Sequence, residues 1–312
     1  MRSLPYVLGM FALFTPAILT AQSSYVPQRV YDTDDKRFVD FDAMLVELAK
    51  ADVVFVGEQH DDPNTHRLEL AILEGLGRRR GGVIVSLEMF ERDTQEPLEH
   101  FLMDHLSEED FLKVARPWPR YATDYKPLVE YAISRDWPVL AANVPRPIAS
   151  EVSKSGFGVL DGKSDVEKKW FAQERECSTS DDYYKRFAVA MNQHPGAPGS
   201  PAEAAAAKRE MTERYYFAQC LKDETMAESI ARAHASGAAG GRRSLVVHFN
   251  GSFHSDYGLG TAERARRRMP GRRIVVLSLL PVKDLDALSP SGDDRKRAAY
   301  LIYTLGRGTE GT

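Results

Sequence analysis

Four apolar residues in succession, Val53 to Val56, stop at Gly57 and give way to Glu58, Gln59, His60, Asp61 and Asp62. A β-branched run of this kind reads as a strand buried on both faces of a parallel sheet, so the polar residues fall where that strand ends. The pattern recurs at 83–88 (VIVSLE), 138–143 (PVLAAN), 244–250 (SLVVHFN) and 273–280 (RIVVLSLL), and 298–305 (AAYLIYTL) adds a last, edge strand. Residues 22–40 carry no clear period and read as irregular.

Between the apolar runs the period changes. Residues 41–50 predict a short helix, and 64–76 place Leu68, Ile72 and Leu76 on one helical face with Leu73 alongside. Segments 94–106, 107–115 and 125–136 predict further helices, the second opening on Ser107. Strands alternating with helices indicate βαβ units, hence an α/β fold with a mostly parallel sheet flanked by helices.

The alternation stops after the third strand. From 148 to 237 the sequence is helix-rich, with a Gly/Pro connector at 193–204 and a long helical pattern at 203–235. The expected organisation is an α/β domain of 22–147 and 238–305. A smaller helical cap, 148–237, is inserted between the third and fourth strands and covers the sheet at its carboxyl ends.

The opening residues differ from the rest. Arg2, an apolar stretch from Val7 to Phe14 and a small residue at Ala21 have the layout of a secretory signal peptide over 1–21. The wider apolar stretch from Leu4 to Leu19 is short for a membrane span and holds two prolines. Export to the periplasm or the medium changes how Cys177 and Cys220 read, because an oxidising compartment lets the one available pair bond. The alternative is two unpaired thiols in a helical core. Closing that loop is worth about 4 kcal/mol in the chain-entropy model. With 41 Lys and Arg against 45 Asp and Glu, the net charge of −4 offers no concentrated positive surface for nucleic acid. No P-loop is present, and GLGTAE (258–263) lacks the strand context of a dinucleotide fingerprint.

Aligning the strand ends identifies the candidate chemistry. The first ends in Glu58, Gln59 and His60, and the second in Glu88, followed by Met89, Phe90, Glu91 and Arg92. The third ends in Asn143, with Arg146 just beyond, and the fourth in Asn250, Gly251, Ser252, Phe253 and His254. Parallel strands put these ends on one edge, where ligands bind in open α/β sheets. Imidazole and carboxylate together suit a divalent metal held by His60, His254, Glu58 and Glu88, or general acid–base work by the same four. Bland roles compete: Glu58 as a helix-capping charge, Asp61 and Asp62 as turn and helix start, His248 as a core histidine. His66, within a helix, faces either the site or solvent.

The segments VGEQHDDPNTH, LEMFERDTQ, NVPR and NGSFHSDYGLG, in this order on these strand ends, resemble the ChaN-like haem-binding uptake proteins of the Tiki/TraB/erythromycin-esterase superfamily. DETMAESI (223–230) adds to the resemblance, which runs from about Phe38 to Leu280. It implies an α/β domain with a smaller helical domain, and an exported, iron-linked protein that binds haem as a homodimer through tyrosine. Superfamily relatives imply the alternative, a metal-dependent peptidase or esterase using the paired histidines and glutamates. The chain departs from the lipid-anchored form by lacking a lipidation cysteine. A phenolate is a hard anionic donor suited to ferric haem. Tyr257, Tyr125 and Tyr121 are the tyrosines near the strand ends, with Trp118 available for a porphyrin face. Tyr183, Tyr184, Tyr215 and Tyr216 fall in the helical region.

Overall fold

The computed structural model describes residues 26–192, 201–239 and 244–306. The signal-peptide stretch and most of the Gly/Pro connector lie outside the described residues. Eight strands form one sheet: β1 (Gln28–Asp32), β2 (Arg37–Val39), β3 (Val53–Glu58), β4 (Val83–Glu91), β5 (Val139–Asn143), β6 (Leu245–Gly251), β7 (Ile274–Val282) and β8 (Tyr300–Leu305). Their order is β2-β1-β8-β7-β3-β6-β4-β5. All pairings from β8 to β5 are parallel, and β1 joins both β8 and β2 antiparallel. The fold is α/β with a mostly parallel sheet.

Two expectations are corrected here. The stretch before the first predicted strand is not irregular, since it holds the β1–β2 hairpin. Asp32 Oδ1 accepts from the backbone N–H of Asp34 and Asp35, both at 3.0 Å, and Lys36 takes φ 56° to complete the turn. The final strand is therefore not an edge. β1 covers its open side, in register from Gln28↔Thr304 to Asp32↔Tyr300.

Some of the helices begin at side-chain caps that the sequence supplies. The first, α1 (Phe41–Leu48), leads into β3, and α2 (Pro63–Gly77) follows it. The Asp62 carboxylate caps α2 by accepting from Asn64 and Thr65 N–H at 2.9 and 3.1 Å, with Pro63 in the first turn. After β4 come α3 (Gln95–Leu102) and α4 (Glu108–Ala115), the latter capped by Ser107 Oγ at 3.1 Å from Asp110 N–H. Next are α5 (Tyr121–Asp124) and α6 (Lys126–Ser134). Leu68, Ile72, Leu76, Leu128 and Val129 bury one face of the sheet against Val54, Val56, Val85 and Val247.

Beyond β5 the described residues of 148–237 contain no strand. α7 (Arg146–Ser155) and α8 (Asp182–Asn192) precede the 39-residue α9 (Pro201–Ala239). In α9, Ala218 and Leu221 pack into a cluster with Val144, Ile148 and Val152, while Ala227 and Ile230 pack on the sheet against Phe55 and Val246. One helix thus serves both the inserted segment and the second face of the sheet. The Arg92 side chain, at the end of β4, clamps it: Nε donates to Ser229 Oγ at 2.7 Å, and the guanidinium also bonds Glu228 at 2.9 Å and the Thr225 carbonyl at 2.6 Å. Cys177 and Cys220 form a disulfide that ties the loop before α8 to α9. Among the described residues no helix is long and apolar enough to cross a membrane. After β6 comes α10 (Gly260–Arg268), packed on α9.

Candidate functional site

Parallel pairing of β3 and β4 with β6 brings their carboxyl ends side by side, and the polar residues there sort into two groups. Glu58, the last residue of β3, is 1% exposed. Its Oε1 lies 2.5 Å from His60 Nδ1 and accepts from the Tyr125 hydroxyl at 3.2 Å. The His60 side chain is half exposed, with its ring edge-on to Trp118 at 4.9 Å. Burial works against charge on His60, but the Glu58 carboxylate outweighs it and raises the pKa.

The second group is buried. His254 Nδ1 lies 2.7 Å from Asp223 Oδ1 on α9, and its Nε2 lies 3.2 Å from Glu88 Oε1. Burial opposes the imidazolium, yet Glu88 and Asp223 raise its pKa to about 10. Burial likewise pushes the Glu88 carboxyl up, but His254 and then His60 bring it down to about 2. Asp223 also accepts from Thr261 Oγ1 and the Tyr183 hydroxyl, each at 2.7 Å.

Gly251 joins the groups. Its N–H donates to Glu88 Oε2 at 2.8 Å, and any side chain here would meet the His60 ring at 2.7 Å. Only glycine lets the imidazole lie over the end of β6. The structure therefore brings Glu58, His60, Glu88 and His254 together around one backbone position, as two paired sets.

Other residues expected at the edge hold the scaffold. Asn143 Nδ2 bonds the Glu88 carbonyl at 3.1 Å, and its Oδ1 accepts from Val144 N–H. Asn250 Nδ2 bonds the Gly251 carbonyl and Ser255 Oγ at 2.8 and 3.0 Å. Arg146 Nε pairs with Glu91 at 2.7 Å, away from the histidines, as Arg92 does with α9. His248 sits inside β6, its Nδ1 2.8 Å from Ser86 Oγ, and burial lowers its pKa to about 3. Tyr121 is 6% exposed against Phe90, and Tyr125 is 2% exposed. Both phenols are raised by burial. Neither is open to a large ligand.

Tyr257 differs. It lines a pocket of about 790 Å³ between the residues after β6 and α8, shared with Lys185, Arg186, Val189, Phe253 and Leu259. Its hydroxyl donates to Asp293 Oδ2 at 2.6 Å, the Arg186 guanidinium carbon lies 3.3 Å from the ring centroid, and that of Arg297 lies 5.6 Å away. Burial and the Asp293 carboxylate raise the phenol, against the two arginines. The volume falls within the roughly 300–1,000 Å³ of small-molecule and cofactor pockets. The lining sets apolar Val189, Phe253 and Leu259 beside Lys185, Arg186 and Arg297, and Asp182 and Asp256 pair with Lys185 and Arg297 at 2.9 and 3.0 Å.

Sequence reasoning missed Asp223, Gln219, Glu69 and Asp124, and placed Tyr183 only among the tyrosines of the helical region. Gln219 Nε2 lies 3.2 Å from His254 Nε2. The only sequence signal for Asp223 is its place at the head of the DETMAESI segment. His66, left between site and solvent, turns inward: its Nδ1 lies 2.9 Å from Glu69 Oε2, and Glu58 and the His60 carbonyl are near Nε2. Glu69 is driven up by burial and then by Glu58, to about 8, and His66 rises to about 9 as the carboxylates outweigh its burial.

A family model described as haem-binding uptake, Tiki superfamily, ChaN matches residues 44–265. Among solved structures the chain is similar to ChaN of Campylobacter jejuni, reported with cofacial haem binding. The identity is 19%, covering 89% of this chain and 97% of that one, with a TM-score of 0.65. An erythromycin esterase EreC variant in its open conformation is 11% identical over 90% of this chain and 83% of that one, with a TM-score of 0.45. No curated protein sequence matches the chain.

Proposed function

Because the chain belongs to the ChaN family of haem-binding uptake proteins in the Tiki superfamily, we propose that it is an exported haem carrier of iron uptake, with haem in the Tyr257 pocket. The observation that carries this reading is Tyr257 itself. Of the three tyrosines near the strand ends it alone borders an open pocket of sufficient volume, while Tyr121 and Tyr125 are buried.

Haem supplies a ferric centre that takes an anionic oxygen donor. Tyr257 would provide that oxygen, its proton going to solvent, with Arg186 and Arg297 favouring the phenolate against Asp293. Lys185 and the same arginines, which line the pocket, would hold the propionates. Phe253, Val189 and Leu259 supply apolar surface for the macrocycle and keep water from it. A homodimer, with the pockets of two chains facing each other, is part of the proposal.

Absorbance titration with hemin tests it. Tyr257→Phe is expected to weaken binding at least tenfold and to abolish the ferric–phenolate band, whereas Tyr125→Phe leaves both unchanged. Wild-type behaviour of Tyr257→Phe refutes the assignment. Sedimentation with and without hemin reads the dimer, and mass analysis of secreted protein reads a start near Gln22. A second reading, hydrolysis by Glu58, His60, Glu88 and His254, is favoured by the hydrogen-bonded chain Asp223–His254–Glu88, which orients one imidazole as acid–base groups require. Ester turnover lost in His254→Gln would support it.

A further inference from the structure

Tyr257 stands on an unusual stretch of backbone. It takes φ 63° and ψ 14°, and among the described residues it is the one aromatic side chain with a positive φ. That left-handed conformation is uncommon for a bulky residue and costs energy, so it persists where the surroundings impose it. Gly258 follows at φ 67°, where glycine suffers no such penalty. Gly258 N–H donates to the Ser255 carbonyl at 3.1 Å and Leu259 N–H to the Asp256 carbonyl at 3.2 Å, closing the turn around the tyrosine.

One side chain reaches this turn from behind. Arg266, in the last turn of α10, donates from Nη1 to the Gly258 carbonyl at 2.8 Å. Its guanidinium lies so close over Gly258 that a Cβ there would meet Nη1 at 2.7 Å and Cζ at 3.5 Å. The side chain belongs to an exposed residue, yet its head group turns back onto the main chain. Arg266 stands outside the 790 Å³ pocket and borders a separate cavity of about 470 Å³, together with Gly258, Lys296 and Arg297. Tyr257 faces both cavities, so Arg266 supports its turn from the side away from the pocket.

We propose that Arg266 is a positioning residue for Tyr257: by holding the Gly258 carbonyl it fixes the left-handed turn, and with it the direction in which the phenol oxygen meets a guest. The proposal rests on the reading of Tyr257 as the haem ligand. The Tyr257–Asp293 hydrogen bond uses the phenol proton and ends when that oxygen takes iron, whereas the Arg266 bond lies on the main chain and persists. Without it the turn is free to relax towards ordinary backbone conformations, and binding must re-form the strained one. A residue that never touches the guest therefore sets part of its affinity, as preorganisation does generally.

Hemin titration of the full chain, followed in the visible spectrum, tests this. Arg266→Ala is expected to weaken binding about fivefold, the worth of one hydrogen bond, and to shift the ferric–phenolate band. Its far-UV circular dichroism stays that of the wild type, and Arg266→Gln is read in its place if it does not. Arg266→Lys, which can donate to the same carbonyl, restores the band. The backbone is read without haem: Tyr257→Gly should melt at a higher temperature than Tyr257→Ala, because glycine takes φ 63° without strain. A wild-type band and affinity in Arg266→Ala, where Tyr257→Phe has lost the band, overturns the positioning role and leaves the haem assignment standing. A band that survives Tyr257→Phe overturns that assignment and this proposal with it. A Tyr257→Gly melt at or below that of Tyr257→Ala shows an unstrained turn and also overturns the proposal.

Discussion

Replacing His254 by alanine removes the single cation between two buried carboxylates. In the wild type its ring bridges Asp223 at 2.7 Å and Glu88 at 3.2 Å, and both acids are at most 3% exposed. Breaking a buried ion pair from one side costs about 3–5 kcal/mol, because the remaining charge keeps its desolvation penalty. For a chain of this size that corresponds to a fall in Tm of roughly 10 °C. Glu88→Gln introduced beside His254→Ala removes one of the two stranded charges. The double variant should therefore be more stable than the sum of the single effects by about 1–3 kcal/mol.

The pH dependence has a definite sign. His254 is raised to about 10 from 6.5, so its contribution is complete below pH 6.5 and lost as pH rises through about 10. Glu88 is lowered to about 2 from 4.5, so its contribution is present above pH 4.5 and lost as pH falls through about 2. The gap between wild type and His254→Ala should be widest between pH 4.5 and 6.5 and narrow towards both ends. Urea unfolding followed by tryptophan fluorescence at several pH values measures it. A cost below about 1 kcal/mol that is flat with pH, or simple additivity with Glu88→Gln, would refute the reasoning.

Reducing the Cys177–Cys220 bond reopens a loop spanning a 43-residue separation and should cost about 4 kcal/mol; intact mass showing two free thiols in exported protein would contradict the bond. Gly260→Ala should destabilise by more than 1 kcal/mol, because its φ is +57° and a Cβ would lie 2.5 Å from the His254 carbonyl oxygen; thermal melts read it, and a neutral result fails the prediction. Ser107→Ala should cost about 1 kcal/mol by uncapping α4, with Ser107→Asp restoring it; equal stability of both variants would show that the cap contributes nothing.

What the sequence made legible follows from burial. β3, β4, β5 and β6 are covered on both faces, and their apolar runs stand out without any partner being known. The β1–β2 hairpin was hidden for the opposite reason. QRVYD and RFV are short and carry charge, and RFV is the edge strand, so no apolar run marks them. The true neighbour of β8 was invisible because antiparallel return of the N-terminus depends on tertiary pairing alone. Glu58, His60, Glu88 and His254 could be gathered by one rule, that parallel strands end together. Asp223 and Asp124 obey no such rule, since each comes from a helix whose approach is set by packing. Asp223 reaches His254 from within a 39-residue helix, with nothing local to distinguish it from a surface acid. His66 and Glu69 are one helical turn apart, a spacing compatible with either core or solvent until α5 closes over them.

The continuity of α9 bears on how the molecule responds to a ligand. A shaft that begins in the inserted segment, delivers Gln219 and Asp223 to His254 and then lies along the sheet cannot swing as a hinged door. Turning its outer half would bend an unbroken helix or pull Arg92 from Ser229 and Glu228. The opposite wall of the Tyr257 pocket is α8, which carries Lys185, Arg186 and Val189. Even that wall is tethered, since the disulfide fastens the approach to α8 onto α9 at Cys220. The Tyr257 pocket is thus walled by one short helix fastened to an unbroken one.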